Sequence, residues 1–232
     1  MPKAYKHIFF DLDHTLWDFD KNSEETLEEL FEVYSLKELG IEAFEDFLKT
    51  YRRVNDQMWD QYRKKEITKA ELRATRFYNT LLEFEIDHPE LASTIDADYI
   101  SKSPYKTHVF PHTHEILEYL AEKYELHIIT NGFSEVQDIK MEHSKLKSHF
   151  KHKITSEMVG VTKPDPKIFT HALRLAGSHR NEALMIGDNL AVDVIGARNV
   201  GIDQVYFNPD RKPHEVKVTH EIQNLIELKN FL

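Results

Sequence analysis

The stretch His7–Trp17, with the sequence HIFFDLDHTLW, constrains the fold more than any other part of this 232-residue chain. Three apolar residues run directly into Asp11 and Asp13, which is typical of a strand buried on both faces of a parallel sheet. Alternate side chains along a strand point the same way, so both carboxylates are expected to face one crevice at the carboxyl edge of the sheet. Because two carboxylates in one crevice repel each other, the pair requires a cation, a shared proton or a chemical task.

The composition restricts the classes of function. The formal net charge of −10 disfavours polymeric nucleic acid as the main partner. The chain has no cysteine, which excludes disulfides, thiolate catalysis and cysteine-based metal sites. No apolar run approaches the roughly 18–20 residues of a membrane span, and the first predicted strand begins too close to Met1 for a secretory signal peptide. We therefore expect a cytoplasmic protein without a membrane partner.

The region from Asn22 to about residue 102 has almost no strand signal and is dominated by helical spacing. Apolar residues over Phe44–Tyr62 recur every three or four positions, which predicts one long helix with a single apolar face. The pairs Asn22/Glu25 and Thr68/Glu71 have the spacing of capping boxes, so each predicts a helix start. The sequence therefore predicts a separate helical domain over residues 18–106.

From residue 108 onward short apolar strands alternate with helices. The predicted strands are Leu126–Thr130, His152–Thr155, Ala183–Ile186 and Asp203–Phe207. Ser134 and Gln137 predict a capped helix start, and Asp165 predicts another before a helix closed by Gly177. This alternation indicates an α/β fold with a doubly wound parallel sheet, formed by residues 1–17 and 107–232.

Polar residues follow several of the predicted strands. They are Thr130 with Asn131 and Gly132, then Lys163, then Gly187-Asp188 with Asp193. Three or four carboxylates suit Mg²⁺, which prefers oxygen ligands and keeps water and substrate phosphate in its shell. A hydroxyl, backbone N–H groups near Gly132 and one lysine supply the donors that a phosphate needs. Each motif alone is common in turns, whereas their joint occurrence in this order favours a phosphate site in which one carboxylate attacks and a second transfers protons.

These residues resemble the four motifs of the haloacid dehalogenase-like (HAD) hydrolase superfamily. The motifs are Asp11-Leu12-Asp13-His14-Thr15, Thr130, Lys163 and Gly187-Asp188 with Asp193. The resemblance covers nearly the whole chain and implies a Rossmann-like core with a helical cap domain inserted after the first motif. His14 departs from the pattern, since many relatives carry glycine there.

The resemblance implies a Mg²⁺-dependent phosphatase with Asp11 as the nucleophile and Asp13 as the general acid and base. It implies that the side chain of Asp11, the backbone carbonyl of Asp13 and the side chain of Asp188 bind the metal. The remaining roles it implies are a phosphate contact for Thr130, stabilisation of nucleophile and phosphate for Lys163, and support for Asp193. Dehalogenase members of the superfamily lack the second aspartate, so Asp13 favours a phosphatase.

A finer similarity is to the pyrimidine 5′-nucleotidase branch of that superfamily. The stretches that carry it are FFDLDHTLWDFD, YRRVNDQMWDQYRKKEIT, IITNGFSEVQ and VGVTKPDPKIF. It implies a small phosphorylated metabolite, a nucleoside monophosphate, as the substrate. Asn55 lies on the apolar face of the predicted long helix, where it either reads a base edge or packs against a neighbouring helix. One alternative is an enzyme whose substrate is a sugar phosphate or another small phosphometabolite. The other is a non-catalytic binding protein on the same fold.

Overall fold

The structure is a computed structural model that describes residues 5–232, so residues 1–4 of the predicted core lie outside the described residues. Its strands are β1 (His7–Phe10), β2 (Glu125–Thr130), β3 (His152–Thr155), β4 (Ala183–Gly187), β5 (Asp203–Phe207) and β6 (His220–Ile222). Its helices are α1 (Phe19–Val33), α2 (Phe44–Arg63), α3 (Lys69–Leu82), α4 (Pro89–Lys102), α5 (Thr113–Ala121), α6 (Ser134–His143), α7 (Ser156–Val159), α8 (Pro166–Ala176) and α9 (Ile195–Asn199). None of these helices combines the length and apolar character needed to cross a membrane.

The six strands form one parallel sheet in the order β3-β2-β1-β4-β5-β6. The apolar run of β1 is buried on both faces, because Ile8 and Phe10 belong to one hydrophobic cluster and Phe9 to another. The connections diverge between β1 and β4, which makes the carboxyl ends of these two strands the crevice where such sheets bind ligands. The predicted α/β class and doubly wound sheet are confirmed.

The chain forms two compact units. One contains the residues up to Phe19 together with Thr107–Leu232, and the other is Asp20–Lys106. The second unit is entirely helical among its regular elements and has its own apolar core, centred on side chains such as Phe47, Tyr51 and Phe77. The helix predicted over Phe44–Tyr62 is confirmed as α2.

The predicted helix caps are confirmed in α3 and α8 but not in α1. Thr68 and Glu71 form the predicted box at the start of α3, and Asp165 and Gly177 cap α8 as predicted. The prediction of a helix start at Asn22 is wrong, because α1 begins at Phe19 and Asn22 is buried inside it. Residues three apart share a face in a helix interior as well as at its start, so spacing alone does not distinguish the two.

Candidate active site

The end of β1 places Asp11 at the switch point of the sheet. The Asp11 backbone N–H donates to the carbonyl of Ile186 in β4, at 2.9 Å. Its carboxylate oxygen Oδ1 lies 2.8 Å from Nζ of Lys163, which is also 2.7 Å from Oδ1 of Asp193. The Lys163 ammonium further donates to the carbonyl of Ile129 in β2, at 2.7 Å, and its side chain is fully buried. One lysine thus joins the end of β2 to two carboxylates, one of which directly follows β1.

Three carboxylates lie together in this crevice. One oxygen atom each from Asp11, Asp188 and Asp193 lies within 4.8 Å of the other two. Burial, opposed by Lys163 and reinforced by a neighbouring carboxylate, raises the pKa of Asp11 to about 7. Burial likewise raises the pKa of Asp188 to about 6. Crowding these buried carboxylates together disfavours their ionised forms, and a cation would relieve that cost. Because all the ligand atoms are oxygens, the cluster fits Mg²⁺.

Asp13 has a different environment from these three. Its Oδ2 accepts a hydrogen bond from Nε2 of Gln137 at 2.7 Å, and its Oδ1 accepts one from Nζ of Lys140 at 2.6 Å. Lys140 is buried and its ammonium lies 4.1 Å from the ring centre of Trp17. Burial alone would raise the pKa of Asp13, but the charge and hydrogen bond of Lys140, together with Gln137, hold that pKa below its ordinary value.

Gln137 and Lys140 were not among the predicted site residues. Gln137 was predicted to cap α6, and this is wrong: the residue preceding α6 is Phe133 and makes no side-chain cap. The amide of Gln137 instead donates one hydrogen to Asp13 and the other to Oγ1 of Thr130, both at 2.7 Å. The two residues lie one turn apart on α6, and that spacing was the only signal available from the sequence.

Thr130 is positioned to donate its hydroxyl hydrogen. Its Oγ1 accepts from Gln137 and also from the backbone N–H of Gly132, at 3.0 Å. A hydroxyl has two acceptor lone pairs, so with both engaged its own hydrogen remains for a further partner. A Cβ at Gly132 would lie 2.1 Å from Nε2 of Gln137, so glycine is what allows the Gln137 amide to reach Thr130 and Asp13.

Asn131 fixes the loop that carries Lys163. Its Oδ1 accepts from the backbone N–H of Lys163 at 2.7 Å, and its Nδ2 donates to the carbonyl of the same residue at 3.0 Å. Both polar atoms of this side chain are therefore engaged with protein backbone. The geometry makes Asn131 a positioning residue for Lys163.

The loop after β4 is held by Thr15 and Asp193. The hydroxyl of Thr15 accepts from the Asp188 N–H and donates to Asp188 Oδ1, each at 3.1 Å. A Cβ at Gly187 would lie 2.5 Å from Oδ2 of the fully buried Asp193, so glycine permits this close approach. These contacts orient Asp188 toward the crevice that Asp11 occupies.

Two further residues singled out in the sequence are His14 and Asn55. His14 has a backbone φ of +60°, a left-handed conformation that glycine adopts without strain and that a histidine adopts less readily. Asn55 lies in the separate helical unit, on α2, and is buried there. Among residues 5–232 its Oδ1 has no hydrogen-bond partner.

Comparison with known proteins agrees with this geometry. Residues 8–207 match the family model described as haloacid dehalogenase-like hydrolase. The pyrimidine 5′-nucleotidase PynA of Streptococcus pneumoniae is 31% identical, covering 98% of this chain and 95% of the relative. The pyrimidine 5′-nucleotidase YjjG of Escherichia coli is 32% identical, with coverages of 97% and 96%.

Among solved structures, the magnesium-bound YfnB of Bacillus subtilis superposes with a TM-score of 0.89 at 28% identity, and the match covers 98% of each chain. The predicted resemblance is therefore confirmed over nearly the whole length. The chain belongs to the haloacid dehalogenase-like hydrolase family, and it is a hydrolase.

Proposed function

We propose that this protein is a Mg²⁺-dependent phosphomonoester hydrolase that acts on pyrimidine nucleoside 5′-monophosphates through a phospho-Asp11 intermediate. The observation that carries the proposal is the fully buried Lys163 ammonium, 2.8 Å from Asp11 and 2.7 Å from Asp193. A preformed positive charge in a buried site stabilises negative charge that develops on a transferring phosphoryl group. It also favours the ionised, nucleophilic form of the Asp11 carboxylate and so opposes the burial that raises the pKa of this group.

The chemistry divides between the two aspartates of the first motif. In the first step a carboxylate oxygen of Asp11 attacks phosphorus, the ester P–O bond breaks, and the leaving oxygen takes a proton from Asp13. In the second step Asp13 takes a proton from water, whose oxygen attacks phosphorus. The bond between phosphorus and Asp11 then breaks, which releases inorganic phosphate and restores both carboxyl groups. Lys140 and Gln137 hold Asp13 in one orientation for both proton transfers.

The remaining residues bind and orient the phosphate. The hydroxyl hydrogen of Thr130 donates to a phosphate oxygen, because both of its acceptor positions are taken by protein groups. Asp11, Asp188 and the backbone carbonyl of Asp13 would hold the metal, with Asp193 acting through Lys163. When bound, Mg²⁺ offsets the charge of the phosphate and of the clustered carboxylates.

The substrate class rests on the two relatives named as pyrimidine 5′-nucleotidases, which align along nearly the whole chain.

We propose that Asp20–Lys106 is the cap domain and that its residue Asn55 contacts the substrate. The buried Asn55 Oδ1 supports this role, because a buried acceptor without a partner in the described residues is costly unless a ligand supplies the donor. The cytoplasm remains the expected location.

A phosphate-release screen with Mg²⁺ tests the substrate class. The panel contains UMP, CMP and dTMP, the purine nucleotides AMP and GMP, and a set of sugar phosphates. We expect the highest kcat/KM for the pyrimidine nucleotides, and Asn55→Ala to raise KM for UMP more than KM for p-nitrophenyl phosphate. A preference for sugar phosphates would replace the nucleotide proposal, and no phosphate release from any substrate would favour a non-catalytic protein.

A further inference from the structure

A second group of potential metal ligands lies at the opposite edge of the sheet, where β1 and β2 begin. His7 is the first residue of β1 and is paired in register with Glu125, the first residue of β2. His127 follows two residues later, so its side chain projects from the same face of the sheet as Glu125. One potential ligand atom from each of the three side chains lies within 4.8 Å of the other two.

The distances match the coordination shell of a tetrahedral metal. Nδ1 of His7 lies 3.3 Å from Nε2 of His127 and 3.5 Å from Oε2 of Glu125. Two ligand atoms at about 2.0–2.1 Å from a tetrahedral Zn²⁺ lie about 3.3–3.4 Å from each other. The two separations from His7 therefore already match those around one shared cation, and the third, between His127 and Glu125, is within 4.8 Å.

The protonation states of the imidazoles suit metal binding. Burial, reinforced by the nearby imidazoles, lowers the pKa of His127 to about 4, and burial also lowers the pKa of His7. Both rings are therefore neutral near pH 7, which is the form that binds metals. A neutral imidazole frees the nitrogen that faces the metal by a change of tautomer, so neither ring has to lose a proton on binding.

The residues around this cluster leave one Glu125 oxygen available to an ion and leave the cluster accessible from the surface. Lys151 lies 2.7 Å from Oε1 of Glu125, so Oε2 is the oxygen that faces His7. The nearby Lys6 is paired with Glu182 at 2.5 Å. His7 and Glu125 both border a surface depression that is also lined by Tyr124. Water from this depression can complete the coordination shell.

We propose that His7, Glu125 and His127 form a binding site for a zinc-class divalent cation, separate from the carboxylate cluster at the other edge of the sheet. Imidazole ligands favour Zn²⁺ and related transition metals, whereas the all-oxygen set around Asp11 suits Mg²⁺. The two sites are distinguished by ligand chemistry and by position, since one lies where β1 begins and the other where it ends. The competing explanation is a hydrogen bond between two neutral imidazoles.

Titration of the full-length protein with Zn²⁺, in the presence of saturating Mg²⁺, tests the proposal by calorimetry. Co²⁺ is titrated in parallel, since its visible absorption reports tetrahedral nitrogen and oxygen ligation. We expect one tight site per chain, weakened at least about tenfold by His7→Gln and by Glu125→Gln. Glu182→Gln, which removes a carboxylate at the same edge, and His112→Gln, which breaks a surface pair with Glu115, are expected to bind as the wild type does.

Stability provides the second readout. Zn²⁺ is expected to raise the Tm of the wild-type protein more than that of Glu125→Gln, because only ligands of the folded state stabilise it. Glu125 is substantially exposed, so this variant decides the question even if His7→Gln fails to fold. Wild-type protein that binds no Zn²⁺ beside Mg²⁺, or affinities equal in the wild type and Glu125→Gln, would overturn the proposal in favour of the hydrogen-bonded pair.

Discussion

The ammonium group of Lys140 lies 2.6 Å from a carboxylate oxygen of Asp13 and 4.1 Å from the ring centre of Trp17. Lys140 is thereby held between the charge of Asp13 and the aromatic face of Trp17. The contact sets Asp13 apart from Asp11, because Lys140 lowers the pKa of Asp13 whereas burial raises that of Asp11. Two aspartates one residue apart therefore have unlike environments in the metal-free protein. The proposed roles require an ionised Asp11 and a protonated Asp13, and a bound cation beside Asp11 and a phosphate beside Asp13 shift their pKa values in those directions.

Replacing Lys140 tests this separation. Lys140→Met keeps an unbranched side chain at this position but removes the charge, so the pKa of Asp13 is expected to rise. The limb of the kcat/KM–pH profile that reports Asp13 should move to higher pH. The maximum of that profile should fall about tenfold to a hundredfold, because Asp13 loses the contact with Lys140 that orients it for proton transfer. Lys147→Met, which breaks an exposed pair with Glu142, is the control. A pH profile that superimposes on the wild-type profile would contradict the assignment.

Asp11→Asn is expected to lower the phosphatase activity by a factor of at least about a thousand, because an amide is a poor nucleophile. Thermal unfolding should show a folded protein, since the substitution preserves shape. The matched control is Asp210→Asn, which changes an exposed aspartate that pairs with the surface residue Lys212. Robust turnover by Asp11→Asn would exclude the covalent mechanism.

The effect of Mg²⁺ on stability should depend on pH. The folded-state pKa values of Asp11 and Asp188, about 7 and about 6, lie above the ordinary value of 3.8. In the metal-free protein their contribution to stability is therefore fully present below the ordinary pKa and is lost as pH rises through the folded values. We expect Mg²⁺ to raise the Tm more at about pH 8 than at about pH 5, where it must displace protons.

The control for this experiment is Asp188→Ala, which should reduce the Mg²⁺-induced rise in Tm at the higher pH. An equal rise at both pH values, or a metal titration unchanged in Asp188→Ala, would count against the carboxylate cluster as the Mg²⁺ site.

Gly132→Ala tests the packing that positions Gln137. The added Cβ would lie 2.1 Å from Nε2 of Gln137, so the amide must leave Thr130 or Asp13. We expect activity to fall to the level of Gln137→Ala, and the double variant to be no worse than Gln137→Ala alone, because both substitutions remove the same contacts. Additive losses in kcat/KM would show that Gly132 acts independently of Gln137.

The sequence alone was sufficient for the sheet and for the residues that end its strands. An apolar run such as Ile8–Phe10 is buried on both faces, and few structures other than a central parallel strand accommodate it. Since the carboxyl ends of parallel strands share one edge, the chain order of Asp11, Thr130 and Asp188 predicted that they meet. The caps at Thr68 and Asp165 were equally predictable, because each is a contact within one helical turn.

Tertiary structure decided the contacts between residues that are distant in sequence. Lys140 and Asp13 are 127 positions apart, and no local spacing indicates that α6 brings them together. The same holds for Gln137, whose local pattern predicted a cap while its amide serves Asp13 and Thr130. His7 and His127 likewise became neighbours only through strand register. Local periodicity determines which segments are buried, whereas register and helix placement determine which polar side chains meet, and only the folded chain specifies these.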